Sequence, residues 1–340
     1  MIRLDITPPE KGEIRALASD LYWARFTLPF RLNHINLYLL DTNEGWVIID
    51  SGINTPDTAA QWDALLAGPL AGQRIDKIII THHHVDHIGY AGPLAKRTGA
   101  QTYMSEAEHQ KAKWLFDYDD DGFSELIANT YRDYGLSSTQ IEIARADKGR
   151  FARYVAPLPE VSYLSEGDVI SSKDGQWHIR IDNGHAEAHI GLTDKVRGLY
   201  IAVDFLLPRI SPNISVDLRD LTTDTLGHYF TYLREIASSD DSWQIFPGHD
   251  WPYRQGARRA TQLISHHQTR LSQLKQAAKS TPLSVSDAMA VLFGRDFEAH
   301  ELYFASGEAR AHLNHLVACG EMHMVFDKDQ RVTYFVLSQP

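Results

Sequence analysis

The chain has 340 residues, 43% of them hydrophobic and 23% charged, with a formal net charge of −11 and one cysteine. That balance fits a folded chain with a real core and excludes a disordered one, while the acidic charge repels nucleic acid and anionic membranes unless a local patch overrides it. The length suits one large domain with a small appendage, and with no apolar run near the roughly 18–20 residues a bilayer span needs, no signal-peptide core after Met1-Ile2-Arg3 and no partner for Cys319, a soluble cytoplasmic protein is expected.

Leu37-Tyr38-Leu39-Leu40 and Trp46-Val47-Ile48-Ile49 flank Asn43-Glu44-Gly45, the pattern of a hairpin. Thr55 as N-cap, Pro56 at the first helical position and Gly68 at the far end predict a helix. Lys77-Ile78-Ile79-Ile80-Thr81 reads as a buried strand running into a histidine cluster. Chemistry placed where a strand gives way to a loop has rigid support below it and solvent above. Strands alternating with helices in this way predict a layered α/β architecture.

From about 105 to 155 the pattern turns helical and acidic, with Trp114, Phe116, Tyr118, Phe123, Tyr131 and Tyr134 interleaved. Such an insertion serves either as a lid beside a site or as a helical cover for a sheet. Asp117, Asp119, Asp121 and Gly122 match the first half of a calcium loop, but the position of its bidentate glutamate is Ala128, so a solvated acidic turn is the better reading.

The apolar runs Trp177-His178-Ile179-Arg180-Ile181, Leu199-Tyr200-Ile201-Ala202-Val203 and Gln244-Ile245-Phe246 are each followed within a few residues by a His or an Asp. A long helix is predicted over 255–279, then helices around 285–293 and 309–319, then a two-stranded ribbon over 322–337 turning at Asp327-Lys328-Asp329. Helix, helix, helix, ribbon is the outline of a winged helix. The expected division is therefore 1–255 as a catalytic domain and 256–340 as a winged-helix-like domain.

The strongest signal is His82-x-His84-x-Asp86-His87. In an extended segment residues two apart point the same way, so His82 and His84 can converge on one cation while His83 faces elsewhere. Asp86 and His87 can reach a second. With 17 histidines in 340 residues, three at fixed offsets arise by chance in roughly 4% of such chains. Further candidates stand at later strand ends: His185 and His189 in Gly184-His185-Ala186-Glu187-Ala188-His189, Asp204 after Val203, and His249 in Pro247-Gly248-His249-Asp250.

With these residues the sequence resembles the metallo-β-lactamase-fold hydrolase superfamily over about residues 20–255. The resemblance implies an αββα sandwich with its site at one edge of two sheets. It implies one metal held by His82, His84 and His185, another by Asp86, His87 and His249, and Asp204 bridging both. Asp50 resembles the family's aspartate that orients ligand histidines, and His189 is a comparable candidate. Two divalent ions, zinc first with manganese or iron as alternatives, would generate a bridging hydroxide near neutral pH, with Asp86 and Asp204 as the catalytic carboxylates.

No Gly-x-Ser-x-Gly elbow is present, so no serine nucleophile competes with this reading. True β-lactamases of the superfamily usually carry Cys or Ser where Asp204 stands, and the aspartate resembles the thioesterase, lactonase and nuclease branches instead. A thioester is favoured because a thiolate, with a pKa near 8.5, leaves without a strong general acid. The tail departs from that of hydroxyacylglutathione hydrolases and resembles the winged-helix domain of some bacterial relatives and of a related endoribonuclease. Residues 256–340 hold nine Lys or Arg and eight Asp or Glu, about +1, whereas a nucleic-acid footprint is plainly basic. The segment 308–319 offers only Arg310, with His312, Asn314 and His315, and its Leu313, Leu316 and Val317 at helical spacing read as a packing face. The expectation is a dinuclear hydrolase of a small carbonyl substrate, thioester or ester before lactone, with the tail completing a pocket or a homodimer contact. A metal-dependent endoribonuclease and a non-catalytic metal-binding module are the alternatives.

Overall fold

The computed structural model describes residues 1–117, 120–146, 152–295 and 297–338. Two compact units form, one from residues 1–117, 151–212 and 236–259, the other from 118–150, 213–235 and 260–340. The chain thus enters each unit three times, rather than crossing once after residue 255.

The first unit contains two seven-stranded sheets. One runs in the order Arg15–Ala16, Leu21–Thr27, His34–Asp41, Trp46–Ile49, Ile75–Ile79, Gln101–Met104, Val161–Tyr163. The other runs Ile2–Arg3, Tyr253–Arg254, Gln244–Pro247, Leu199–Val203, His189–Asp194, Gln176–Asp182, Val169–Ser171. Side chains alternate across a strand, so an all-apolar strand needs cover on both faces. His34–Asp41 shows this: Tyr38 and Leu40 join Val47, Ile49 and Ile79 against Trp177, Ile190, Ile201 and Phe246 of the other sheet. Its alternate residues Ile35, Leu37 and Leu39 meet Trp62, Leu65, Ile88 and Leu94 from helices. Each such buried side chain contributes roughly 1.5–3 kcal/mol by leaving water.

The expected hairpin forms, with Leu40 opposite Val47 and Asp41 opposite Trp46. So does the expected helix, Pro56–Ala67, with the Thr55 hydroxyl accepting from the Thr58 N–H and Gly68 at its end. Trp46–Ile49 runs parallel to Ile75–Ile79, and Leu199–Val203 runs parallel to Gln244–Pro247. Gln176–Asp182 points the same way as Leu199–Val203, because His189–Asp194 lies antiparallel between them. The C-terminal ends of these strands carry every candidate ligand segment.

In the second unit, helices Asp120–Asp133 and Ser138–Ala146 join Val285–Phe293, Ala299–Ala318 and the ribbon Met322–Asp327 with Val332–Leu337. The Ser286 N–H donates to the Tyr134 carbonyl at 2.9 Å, and the Thr333 hydroxyl donates to Asp133 at 2.6 Å. The 105–155 insertion therefore divides: Glu106–Phe116 belongs to the first unit, and the two helices that follow belong to the second. Of the calcium-like pattern, Asp117 caps Glu106–Phe116 while Asp121 and Gly122 are helical; Tyr118 and Asp119 lie outside the described residues.

The helix expected over 309–319 begins ten residues earlier, at Ala299. Its two sides are both buried, with Leu302, Ala309, Leu313 and Leu316 but also Glu308, Arg310, His312 and Asn314 out of solvent. A helix covered all round shows no single apolar stripe in its sequence. Arg310 and Asn314, weighed above as a reading face, are inward groups: Asn314 donates to the Leu221 and Thr223 carbonyls at 2.9 and 3.0 Å. No helix among the described residues is long and apolar enough to cross a membrane.

Candidate metal centre

All seven expected ligands meet in the first unit. Ligand atoms of His82, His84, His185 and Asp204 lie within 4.8 Å of one another, as do those of Asp86, His87 and His249. Asp204 belongs to both neighbourhoods, since its Oδ2 is 3.7 Å from His185 Nε2, 3.5 Å from His87 Nε2 and 3.3 Å from His249 Nε2. Asp86 Oδ2 lies 3.4 Å from His249 Nε2 and 3.8 Å from His87 Nε2.

The backbone at these strand ends is under strain. Asp50, Val203 and Asp250 have positive φ of 65°, 44° and 71°. A β-branched residue in that region is a genuine outlier, and such conformations cost of order 1–3 kcal/mol. Val203 turns the chain so that Asp204 faces the cluster. Gly248 is required opposite it, because a Cβ there would sit 2.2 Å from Asp204 Oδ1.

Three of the imidazoles are aimed through their other nitrogen. Asp50 accepts from the Thr81 N–H at 2.8 Å and from His87 Nδ1 at 2.7 Å, which turns His87 Nε2 inward. His249 Nδ1 donates to the His34 carbonyl at 2.8 Å, turning its Nε2 inward too. His82 Nδ1 meets the Thr81 hydroxyl at 3.0 Å, leaving Nε2 beside His84 Nδ1 at 2.9 Å. Fixing one ring nitrogen by a carboxylate, hydroxyl or carbonyl leaves the other as a lone pair for a metal. Asp50 thus bonds to a candidate ligand histidine, the contact that the resemblance implied for it. His189 is packed on His82 with ring centroids 5.0 Å apart, and neither of its nitrogens has a hydrogen-bond partner among the described residues.

Charge asks for a cation here. Burial pushes the Asp204 carboxyl up, but His249 and His87 hold it well below the usual range, and Asp86 is lowered in the same way by His87 and His249. Burial opposes charging His249, yet Asp204 and Asp86 carry it to about 10, while Asp50, Asp204 and Asp86 raise His87. His87 Nε2 and Asp204 Oδ1 are buried with no hydrogen-bond partner among the described residues. Orphaned lone pairs of this kind, on nitrogen and oxygen together, suit a divalent transition ion.

A third group, His267, Glu308 and His312 in the second unit, meets the same distance criterion. It went unmarked in the sequence, where no His-x-His spacing announces it. Glu308 is ion-paired with Arg270, and the His312 Nδ1–H donates to the Glu308 carbonyl at 2.8 Å. The sequence also gave no sign of two groups serving the main site: the His34 carbonyl, and Glu108, which bonds to the loop between His82 and His84.

Comparison with known proteins places the chain. The pattern of the metallo-beta-lactamase superfamily matches residues 31–249, and that of a metallo-beta-lactamase-like C-terminal domain matches 271–337. A probable metallo-hydrolase of Bacillus subtilis, YqjP, is 24% identical over 311 residues, covering 88% of this chain and 92% of that protein. The crystal structure of a beta-lactamase domain protein from Burkholderia ambifaria superposes with a TM-score of 0.86 at 28% identity, covering 98% of this chain and 96% of the other. A hydroxyacylglutathione hydrolase of Acidiphilium cryptum is 39% identical over 74 residues, 21% of this chain and 29% of that one. The chain belongs to the metallo-beta-lactamase superfamily and is a metallo-hydrolase with a His/Asp metal-binding cluster.

Proposed function

We propose that this superfamily member is a dinuclear hydrolase of a small acyl compound, a thioester or ester first and a lactone next. The observation that carries the reading is Asp204, whose Oδ2 stands between His185 on one side and His87 and His249 on the other. His82, His84 and His185 would hold one ion and Asp86, His87 and His249 the other, with Asp204 shared. Zinc, or manganese or iron, bound there would supply an activated water near neutral pH and a Lewis acid for the carbonyl oxygen.

The chain's own groups set the rest. Asp50 and the His34 carbonyl keep His87 and His249 in one tautomer, with Nε2 bare. The Asp86 side chain, 17% exposed against 9% for Asp204, is the carboxylate that reaches solvent and can hold the attacking water by a hydrogen bond. Every imidazole and carboxylate assigned as a ligand is then committed to binding, which leaves none of these seven to protonate a leaving group. A thiolate departs without that help, an alkoxide less readily. The local likeness to a hydroxyacylglutathione hydrolase supports the same choice. The second unit is assigned to substrate handling or to contact between copies, in the cytoplasm.

The test is a panel of acyl-CoA, acylglutathione, aryl ester, lactone and RNA substrates, assayed with zinc, manganese and iron. A thioester should be turned over at least tenfold faster than any lactone or RNA. Cleavage of RNA alone would replace the assignment with the nuclease, and metal uptake without any turnover would leave a binding module.

A further inference from the structure

We propose that Glu108 is a positioning residue for the ion assigned to His82, His84 and His185, one carboxylate that locks together the two separate loops supplying those ligands. The inference rests on the metal reading above and concerns how that site is held. Glu108 is fully buried in the first turn of Glu106–Phe116. Its Oε2 accepts from the His83 backbone N–H at 3.0 Å and from His83 Nδ1 at 2.6 Å. Its Oε1 accepts from the Ala188 N–H at 3.1 Å. The same helical turn grips the second loop again, because the Ser105 hydroxyl donates to the Ala188 carbonyl at 2.7 Å.

The consequence is geometric. His83 sits between two assigned ligands, and its bond to Glu108 fixes its ring edge-on to His82, with planes at 88°, and against the His84 ring, with centroids 4.7 Å apart. Ala188 lies three residues beyond His185, so the carboxylate fixes the spacing between the His82-x-His84 pair and the histidine that must meet it. All three donors to Glu108 are N–H groups, and a carboxylate is an acceptor only. A glutamine would present an NH2 to one of them and leave a buried donor without an acceptor. Outer groups that orient ligands typically alter metal affinity 10- to 100-fold when removed.

The experiment measures stepwise affinity of the full-length apoprotein for zinc and cobalt(II), with cobalt absorption reporting ligand geometry, in wild type, Glu108→Gln and Asp50→Asn. Glu108→Gln should weaken one ion at least tenfold while the other changes less than about threefold, and Asp50→Asn should weaken the opposite ion. Equal weakening of both ions by Glu108→Gln, or none, overturns the proposal. If Glu108→Gln does not fold, His83→Ala decides, with a severalfold loss confined to the same ion expected and unchanged affinity overturning it. A wild-type protein that binds no ion would instead overturn the metal reading itself.

Discussion

Two buried clusters of histidine and carboxylate stand out among the described residues, and they differ in what their remaining atoms do. In the first unit, His87 and His249 spend Nδ1 on Asp50 and on the His34 carbonyl, and among the described residues Asp86 and Asp204 are lowered by histidines rather than by an Arg or Lys. In the second, Glu308 is ion-paired with Arg270 and accepts from Asn213 at 3.4 Å, while His267 Nδ1 and His312 Nε2 meet at 3.1 Å. Burial pushes His312 down to about 3, so it stays neutral and needs no counter-charge. A cation added there would share a dry space with a guanidinium. Proximity of ligand atoms and a ring tied through Nδ1 to a backbone carbonyl are common to both clusters; among the described residues, carboxylates with no guanidinium beside them mark only the first.

The contrast can be broken most forcefully at Asp204. Asp204→Asn keeps the shape, removes the shared charge and should lower turnover by more than about 100-fold, beyond the effect typical of an outer orienting residue, with loss of bound metal on elemental analysis. Full activity in a metal-free variant would end the contrast. A smaller effect is expected in the second unit. His312→Ala should leave metal content unchanged and reduce stability in urea unfolding by about 2–3 kcal/mol, from a cavity and an orphaned hydrogen bond. Loss of an ion from that variant would show the two clusters to be alike.

Much of this was legible in residues that act through their own side chains. The strand ending in Thr81, the caps Thr55 and Gly68, and the seven candidate ligands that follow strands all have local signatures. Asp50 was readable through the family resemblance, since an aspartate that closes an apolar run is as often a turn former. Glu108 was not, since a glutamate in a first helical turn is favoured there by the helix dipole whatever it bonds to. His34 contributes a carbonyl, which no side-chain identity encodes. The assembly of the second unit from three segments was hidden too, because nothing in the pattern of 118–150 specifies that Tyr134 will meet Ser286.

The central claim is that seven side chains, Asp204 and the six around it, hold a pair of ions and that no other cluster among the described residues does. Counting divalent transition metals per chain in purified, metal-reconstituted protein tests it directly. Two ions per chain are predicted. None, or a third that survives Asp204→Asn and departs with His312→Ala, would contradict it.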